Sequence, residues 1–340
     1  MPVIDTEKCI QCSRCEKVCP VLQTLKGDQH TLAFAVKSKN SADREISTSG
    51  GVFPLLAEWT LNKGGIIFGA AYDEDFAVRH VAVADRKMLC LLQGAKYTQS
   101  VIGTSFREAE KELKSGRQVL FSGTPCQCAG LKSYLGKEYD NLLLVDLICH
   151  GVPSPKVWQD YIDYRSLKEN NGKRPVKINM RSKSSGWSRY GYSTAFDYGK
   201  VTQIHNSQDL FMKAFVGNIC LRSSCSDCKA KGVERCTDVT LGDYWGIWNQ
   251  HPEFDDNKGT SVVFVHSQKG RMIMDCLEVE IEDAYKENGS LINSSAAHPA
   301  RAEFLEQVTA DNFEELIHRY FPRESRRAGI LQKIRSRLKK

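Results

Sequence analysis

A cysteine run at residues 9–20 constrains the fold of this chain more than any other sequence feature. The run reads CIQCSRCEKVCP, and its thiols are Cys9, Cys12, Cys15 and Cys19. This C-x2-C-x2-C-x3-C-P order is the bacterial ferredoxin spacing, in which thiolates on one tight loop bind a 4Fe-4S cluster. The proline after the fourth cysteine stops a helix from continuing. The run therefore predicts an electron-transfer segment rather than a zinc knuckle or a secreted disulfide scaffold.

The fourth ligand of this first cluster stays open. In two-cluster ferredoxins the last cysteine of such a run binds the other cluster, which requires a second run. No second run occurs in this sequence, and the next cysteine after Cys19 is Cys90. Three arrangements follow: a distant thiolate completes the cluster, Cys19 closes it locally, or the chain lacks a preceding half of a ferredoxin.

Length and composition predict a globular cytoplasmic protein. A chain of 340 residues is long enough for about two domains with buried cores. Residues 1–9 contain neither the basic segment nor the apolar stretch of an export signal, so the 13 cysteines are expected in a reducing cytoplasm. No window approaches the roughly 20 apolar residues of a membrane span, so we expect no transmembrane segment.

The net charge of +6 comes from the C-terminal tail at 323–340. The tail has eight basic residues and one acidic residue, a balance of +7, which leaves −1 for the other 322 residues. The charge therefore does not indicate a nucleic-acid partner. Apolar residues at helical spacing predict a solvated terminal helix, with an acidic partner or a membrane surface as the alternative contact. They are Ile330, Leu331, Ile334 and Leu338.

Strand and helix patterns alternate through the first half of the chain. Strands are predicted at 31–38, 66–72, 78–84, 118–121 and 142–148, with helices between them. Short strand patterns follow at 176–180, 192–196 and 261–265. This alternation predicts an α/β (mixed α+β) fold whose ligand loops lie at the carboxyl ends of the strands. Loops at 49–51, 122–127 and 149–154 are expected to converge there.

A second cysteine group lies far along the chain, at Cys220, Cys225, Cys228 and Cys236. Lysine and arginine residues surround it, and both positive charge and metal favour the thiolate form. The spacing predicts a metal centre. An iron-sulfur cluster is favoured over zinc because the first run already indicates cluster chemistry.

Two loops of small residues precede predicted helices, Ser49-Gly50-Gly51 and 122–125. Backbone N–H groups at such helix starts attract phosphate, so together the loops favour a nucleotide-like cofactor. Near it, Cys126 and His150 are candidates for handling protons or sulfur, and Cys149 for binding a cluster. The other thiols, Cys90, Cys128 and Cys276, are predicted to be buried apolar groups, and Trp245 and Trp248 to be core aromatics rather than flavin-shielding ones.

Several longer strings make the sequence similar to a known family. They are SGG at 49–51, GAKYTQS at 94–100, FSGTPCQ at 121–127, DLICHGVPSP at 146–155 and LRSSCSDCKAKGVERCTDVTLGDYWGI at 221–247. Across nearly its whole length the chain resembles the coenzyme F-420 hydrogenase/dehydrogenase beta-subunit family. Members of that family bind FAD and 4Fe-4S clusters and pass electrons between a two-electron carrier or substrate and one-electron centres. Relatives act in hydrogenases and reductases, and many bacterial members are associated with surface polysaccharide synthesis.

The resemblance implies positions for the cofactors. The flavin would lie near Ser49, Gly50, Gly51, Lys96, Gly123, Thr124 and Pro125, and a cluster would be bound by Cys220, Cys225 and Cys228. Similar proteins generally lack a cysteine at the position of Cys236, so the fourth ligand is Cys236, Cys126 or Cys149. Many relatives carry two consecutive ferredoxin runs, and this chain has only what resembles the second.

The expected organisation is a ferredoxin-type segment at 1–28, a flavin-binding α/β domain at 29–172, a smaller cluster-binding unit at 173–322 and the basic tail at 323–340. The expected function is that of a flavin-dependent iron-sulfur oxidoreductase with FAD, one or two 4Fe-4S clusters, an unidentified small-molecule substrate, and a redox partner such as ferredoxin or a reduced deazaflavin. Two alternatives are an electron-transfer subunit that acts on no small molecule and a zinc-stabilised binding protein.

Overall fold

The computed structural model describes residues 4–19, 21–22, 31–184, 186–187, 191–284 and 289–322. The basic tail at 323–340 and Pro20 therefore lie outside the described residues. Within the described residues, one large sheet forms the centre of the molecule, a three-stranded sheet lies in a second unit, and helices cover both. The α/β class predicted from the alternating patterns is confirmed.

Eight strands form the main sheet, in the order β11-β1-β10-β9-β5-β4-β2-β3. They are β1 (Leu32–Ser38), β2 (Ile66–Tyr72), β3 (Val78–Val83), β4 (Val119–Gly123), β5 (Leu142–Leu147), β9 (Val239–Asp243), β10 (Ser261–Val265) and β11 (Val279–Asp283). The second sheet consists of β6 (Lys177–Ser182), β7 (Ser193–Asp197) and β8 (Val201–His205), all antiparallel.

The direction of the strands decides where the loops meet. Strands β2, β4, β5 and β9 pair in parallel, and β1 pairs antiparallel with β10, which pairs antiparallel with β9. Strand β1 therefore runs in the same direction as the parallel group. Because the carboxyl ends of all five strands lie at one edge, the loops that follow them converge.

Helices on both faces of the main sheet bury its parallel strands. In β4, Leu120 packs with α3 on one face, whereas Val119 and Phe121 pack with α4 and α5 on the other. This burial on two faces explains the continuous apolar runs of the central strands. The helices are α1 (Arg14–Lys17), α2 (Ser41–Ile46), α3 (Val52–Asn62), α4 (Ser105–Lys114), α5 (Pro125–Leu135), α6 (Pro155–Asn170), α7 (Leu210–Val216), α8 (Ile247–Gln250), α9 (Gln268–Met274), α10 (Gly289–Ile292), α11 (Arg301–Gln307) and α12 (Phe313–Tyr320), with 3-10 turns at Arg86–Leu91 and Ser223–Asp227.

The second unit has its own aromatic core. Trp158 and Tyr161 of α6 pack against Phe211 of α7, Phe196 of β7 and Phe313 of α12, and all five side chains are buried. The main sheet nevertheless draws β9, β10 and β11 from the segment after residue 172. The main sheet thus contains strands from both sides of the boundary predicted at 172/173.

The N-terminal cysteine segment lies on the surface beside α4. Cys9, Cys12 and Cys15 are exposed and Cys19 is half-buried. The pKa of the Glu110 carboxyl on α4 is lowered by a hydrogen bond from Lys114 and, to a smaller extent, by the charge of Arg14. The segment therefore presents three of its four thiols to the outside.

Candidate functional site

A cleft of about 470 Å³ opens at the carboxyl edge of the main sheet. The loops that follow β1, β4, β5 and β9 line it, together with residues 92–98 and part of the second unit. Its volume falls within the range of small-molecule and cofactor sites. The three loops that the sequence places at this edge do meet there.

Most residues implied in flavin binding line this cleft. Those in its wall are Ser49, Gly51, Lys96, Gly123 and Thr124. Gly50 and Pro125 lie behind the wall. Gly50 packs against β1, where an added Cβ would lie 2.2 Å from the carbonyl oxygen of Val36, and Pro125 is buried in the first turn of α5.

The amino-terminal end of α3 faces the cleft. Gly51, its N-cap residue, has a φ of +84°, and no side chain of the described residues caps the first N–H groups of the helix. The residues of the first turn, Val52, Phe53 and Pro54, also line the cleft. Uncapped N–H groups and the helix dipole favour an anion at this point, which fits the phosphate of a nucleotide cofactor.

Lys96 supplies a cation to the same cleft. Its Nζ donates hydrogen bonds to the carbonyl oxygens of Gln93 at 2.8 Å and Gly94 at 3.3 Å. Burial lowers the pKa of its amine to about 8. A buried ammonium with carbonyl partners can still accept an anionic ligand, and such a ligand raises the pKa again.

His80 supports the loop after β4, and sequence reasoning missed it. Its Nε2 lies 3.0 Å from the carbonyl oxygen of Ser122, so Nε2 carries the proton and Nδ1 accepts from the Ser100 hydroxyl at 2.6 Å. Burial lowers the pKa of the imidazole to about 4, which keeps it neutral at physiological pH. The residue lies in the middle of β3, and no motif in the sequence marks it.

Arg181 of β6 closes the cleft from the side of the second unit. Only 4% of the residue is exposed, and its Nη1 donates to Asp243 Oδ2 at 2.6 Å and to the Tyr97 hydroxyl at 3.0 Å. The guanidinium lies 4.0 Å from the centroid of the Tyr192 ring. Sequence reasoning missed this residue, because the contact between β6 and the end of β9 joins residues 62 positions apart.

Four thiols from three segments form a group beside the cleft. Burial raises the pKa of the Cys149 thiol to about 12, and the nearby thiols of Cys126, Cys225 and Cys228 contribute to the rise. Burial also raises the pKa of Cys225, with added effects from Cys126 and Cys228. The four thiols thus lie within electrostatic range of one another, and Cys149 is also part of the cleft wall. We call these four residues the thiol group.

Backbone and lysine contacts hold the thiol group in place. The Val152 N–H donates to Cys225 Sγ at 3.4 Å, and Lys231 Nζ donates to the carbonyl oxygen of Cys149. The charge of Lys231 also lowers the pKa of Cys149, which favours the thiolate that a cluster requires. At Gly151 an added Cβ would lie 2.8 Å from the Cδ1 methyl of Leu221 and 3.4 Å from the Cβ of Cys225, so a larger residue would require the Leu221 side chain to move.

Two cysteines of the predicted second group have different surroundings. Cys220 is fully buried in the aromatic core with Trp158 and Phe211, and burial raises its pKa to about 12. Cys236 is half-buried, and after burial the main influences on its pKa are the charges of Lys132 and Asp146. Among the described residues, neither thiol is a main influence on the pKa of the thiol group's Cys149 or Cys225.

The remaining sequence candidates divide between the cleft and the surface. His150 lines the cleft, and its Nε2 is 2.7 Å from Asn218 Oδ1. Trp245 is 43% exposed in the cleft wall, so its predicted core position is wrong. Cys90 and Cys276 are exposed, and their predicted burial is also wrong. The first lies in a short 3-10 turn and the second just after α9, where neither contributes to the apolar core.

Within the described ranges, no three His, Cys, Asp or Glu side chains are arranged to bind one metal ion. A cubane cluster presents a separate iron atom to each thiolate, so its ligands lie farther apart than those of a single ion. The thiol group supplies the four sulfur donors that such a cluster needs, and Lys231 places one cation beside them. The helices of the described residues include none that is long and apolar enough to cross a bilayer.

Comparisons with known proteins agree with these features. Residues 116–286 match the profile of the C-terminal part of the beta subunit in coenzyme F420 hydrogenase/dehydrogenase, and residues 1–24 match a 4Fe-4S binding domain. A solved chain of the F420-reducing [NiFe] hydrogenase complex from Methanosarcina barkeri has 16% sequence identity and a TM-score of 0.50, over 87% of this chain and 89% of that chain. No curated protein matches.

The two profile matches support an oxidoreductase that transfers electrons through an iron-sulfur cluster. The solved chain supports the α/β fold. The first profile covers half of the sequence, including β4, β5, β9, β10 and all members of the thiol group. The resemblance noted in the sequence is therefore confirmed, and the chain belongs to the coenzyme F420 hydrogenase/dehydrogenase beta-subunit family.

Proposed function

We propose that this protein is a flavin-dependent iron-sulfur oxidoreductase. FAD occupies the cleft at the edge of the main sheet, and a 4Fe-4S cluster is bound by Cys126, Cys149, Cys225 and Cys228. The N-terminal run at 9–19 binds a further cluster at the surface. Electrons pass between a two-electron donor or substrate in the cleft and the clusters.

The observation that carries this proposal is the position of Cys149. This residue lines the cleft, while its thiol interacts with Cys126, Cys225 and Cys228. A cluster on these four thiols would therefore be adjacent to any flavin in the cleft. Short separations are what electron transfer requires.

Each part of the site has a separate task. When bound, a flavin supplies the exchange between two-electron and one-electron chemistry. The first turn of α3 and Lys96 hold the phosphates, and His80 fixes the loop that carries Gly123 and Thr124. Lys231 compensates the negative charge of the thiolates. His150, oriented by Asn218, is the candidate proton carrier in the wall.

Variants in which one cysteine is replaced by serine, purified anaerobically, test which thiols bind the cluster. Cys149→Ser and Cys225→Ser are expected to lose one cluster, measured as iron, acid-labile sulfide and the electron paramagnetic resonance signal after reduction. Cys220→Ser is expected to keep both clusters, because its thiol packs in the aromatic core. The matched controls are Cys90→Ser and Cys276→Ser, whose thiols are exposed.

Three results would overturn the proposal. One is protein without bound flavin after FAD addition and cluster reconstitution. Another is loss of a cluster in Cys220→Ser together with its retention in Cys149→Ser. The third is zinc with no acid-labile sulfide in the anaerobic protein, which would favour a zinc-stabilised binding protein.

A second function, that of an electron-transfer subunit with no small-molecule substrate, is favoured by the exposed thiols of the N-terminal run. Anaerobic spectra distinguish the two functions. The purified protein with its bound flavin is mixed separately with reduced deazaflavin, NADH, reduced ferredoxin and sugar intermediates of surface polysaccharide synthesis. A change in flavin absorbance with a small molecule favours the enzyme, whereas a change with ferredoxin alone favours the electron-transfer role.

A further inference from the structure

Arg181 has hydrogen-bond capacity that the described part of the protein does not use. Its Nη1 contacts Asp243 and Tyr97, but its Nε and Nη2 have no hydrogen-bond partner among the described residues. The residue is 4% exposed and lines the cleft. Buried N–H groups without partners are destabilising, and in native proteins they commonly indicate a missing ligand or a functional role.

The two free nitrogens belong to the same edge of the guanidinium. Nε–H and the adjacent Nη2–H point in parallel, which is the fork that contacts two oxygens of a carboxylate or a phosphate. The opposite side is occupied by the bond from Nη1 to Asp243 at 2.6 Å, and one face packs on the Tyr192 ring. These contacts hold the guanidinium fixed, so the free edge has one orientation.

The charges around Arg181 favour an anion. Lys183 interacts electrostatically with four charged groups among the described residues. Two are the cations Arg44 and Arg181, and two are the carboxylates Asp243 and Asp256. Arg44 is paired with Asp256 at 2.7 Å, and Arg181 with Asp243 at 2.6 Å. Within the same described set, the Nζ of Lys183 donates to backbone carbonyl oxygens and not to a carboxylate. Among these residues, the charge of Lys183 therefore has no carboxylate partner.

An aromatic surface lies beside the guanidinium. Trp245 is 43% exposed in the cleft wall and lies 5.2 Å from Arg181, measured from its ring centroid to Cζ. It stacks on the fully buried Trp187, with centroids 5.1 Å apart and planes at 6°. Its indole is thus held rigidly and presents a platform for a planar ring.

We propose that Arg181 binds an oxyanion, a carboxylate or phosphate, of the small molecule that exchanges electrons in the cleft, while Trp245 contacts the planar part of that molecule. This assignment rests on the proposed function for the identity of the cleft. It separates the cleft into two regions, with cofactor phosphates at α3 and Lys96 and the substrate oxyanion at Arg181.

Fluorine NMR titration of the purified holoprotein tests the assignment without any redox reaction. The probes are 4-fluorobenzoate and 4-fluorophenyl phosphate, each compared with neutral 4-fluorobenzamide. We expect at least one anionic probe to bind about tenfold tighter than the amide, because a fixed guanidinium fork forms charge-assisted hydrogen bonds. The stronger of the two anions identifies the oxyanion class.

The variant Arg181→Met is expected to remove this preference and to keep its bound FAD. Equal affinity for the anions and the amide in the natural protein would overturn the proposal, and so would a preference that persists in Arg181→Met. Loss of FAD from the variant would assign the guanidinium to the cofactor and would overturn it as well. Flavin content is measured separately, so failure of the proposed function is distinguishable from failure of this assignment.

A second variant decides the matter if Arg181→Met does not fold. In Asp243→Asn the arginine keeps an oxygen acceptor but loses its carboxylate partner. Removal of this competing anion should strengthen binding of the anionic probes severalfold and leave the amide unchanged. Unchanged or weaker anion binding in Asp243→Asn would contradict the proposal.

Discussion

At the scale of single residues, the site depends on a few side chains whose protonation is set by burial. The thiol of Cys149 has its pKa raised to about 12, and the amine of Lys96 has its pKa lowered to about 8. Both shifts disfavour the charged form that a cofactor would require. Binding of a cluster or a phosphate reverses them, so cofactor binding here is coupled to proton release or uptake.

Lys96 gives this coupling a measurable pH dependence. Its amine is charged below about pH 8 and becomes neutral above it, so the affinity of the apoprotein for FAD should fall as the pH rises past 8. The affinity stops falling once the pH exceeds the higher pKa that the amine has in the complex, because the amine is then neutral in both states. Lys96→Met should bind FAD about 10- to 100-fold more weakly and show no such fall, because one charge-assisted hydrogen bond contributes about 1.5–3 kcal/mol.

Flavin fluorescence titrations between about pH 6.5 and 9.5 check this expectation. The control is Lys87→Met, since Lys87 is exposed on the 3-10 turn and lies outside the cleft wall. An identical pH dependence in Lys96→Met and the natural protein would show that another group controls the affinity.

At the scale of helices and strands, the sequence pattern predicted the features that depend on neighbouring residues in the chain. The alternation at 119–121 places Leu120 on one face of the sheet and its neighbours on the other, and the strand was predictable. The convergence of the loops followed from strand direction. The thiol group and the contact from Arg181 to Asp243 were not predictable, because they join segments whose distance is set by tertiary packing. Cys220 and Cys225 are near neighbours in the sequence, yet Cys220 packs in the aromatic core and Cys225 belongs to the thiol group.

The start of α3 provides a test at this scale. Gly51 has a φ of +84°, and an added Cβ would lie 3.1 Å from the Cβ of Ser38. Gly51→Ala should lower the free energy of unfolding by about 1 kcal/mol or more and should also weaken FAD binding, because it shifts the first N–H groups of the helix. Thermal unfolding and flavin titration measure the two effects.

Gly64→Ala is the matched control for this variant. Gly64 has a φ of +69°, and an added Cβ there would meet nothing within 4 Å. It should show a comparable loss of stability from backbone strain and unchanged FAD affinity. Unchanged FAD affinity in Gly51→Ala would remove α3 from the proposed phosphate site.

At the scale of the whole molecule, the main sheet joins strands from both halves of the chain, so the folding of each half depends on the other. Strand β1 has two partners, β10 and β11, and both come from the segment after residue 172. Strand β5 likewise pairs with β9 on one side. Cys149 and Cys225, which the proposed cluster joins, also lie on opposite sides of that point in the sequence. The proposed flavin and cluster regions are therefore parts of one folded structure.

This dependence predicts the behaviour of a divided chain. A fragment of residues 1–172 leaves β1 without either partner and β5 with an unpaired edge, so it should aggregate or show no cooperative unfolding transition. Co-expression with residues 173–340 should restore a folded complex, since the missing strands then supply both the hydrogen bonds and the apolar contacts. Size-exclusion chromatography and circular dichroism melts of the fragment, the pair and the full chain measure this. A monomeric 1–172 fragment with a sharp melt would contradict the prediction and would show that the first five strands form a domain of their own.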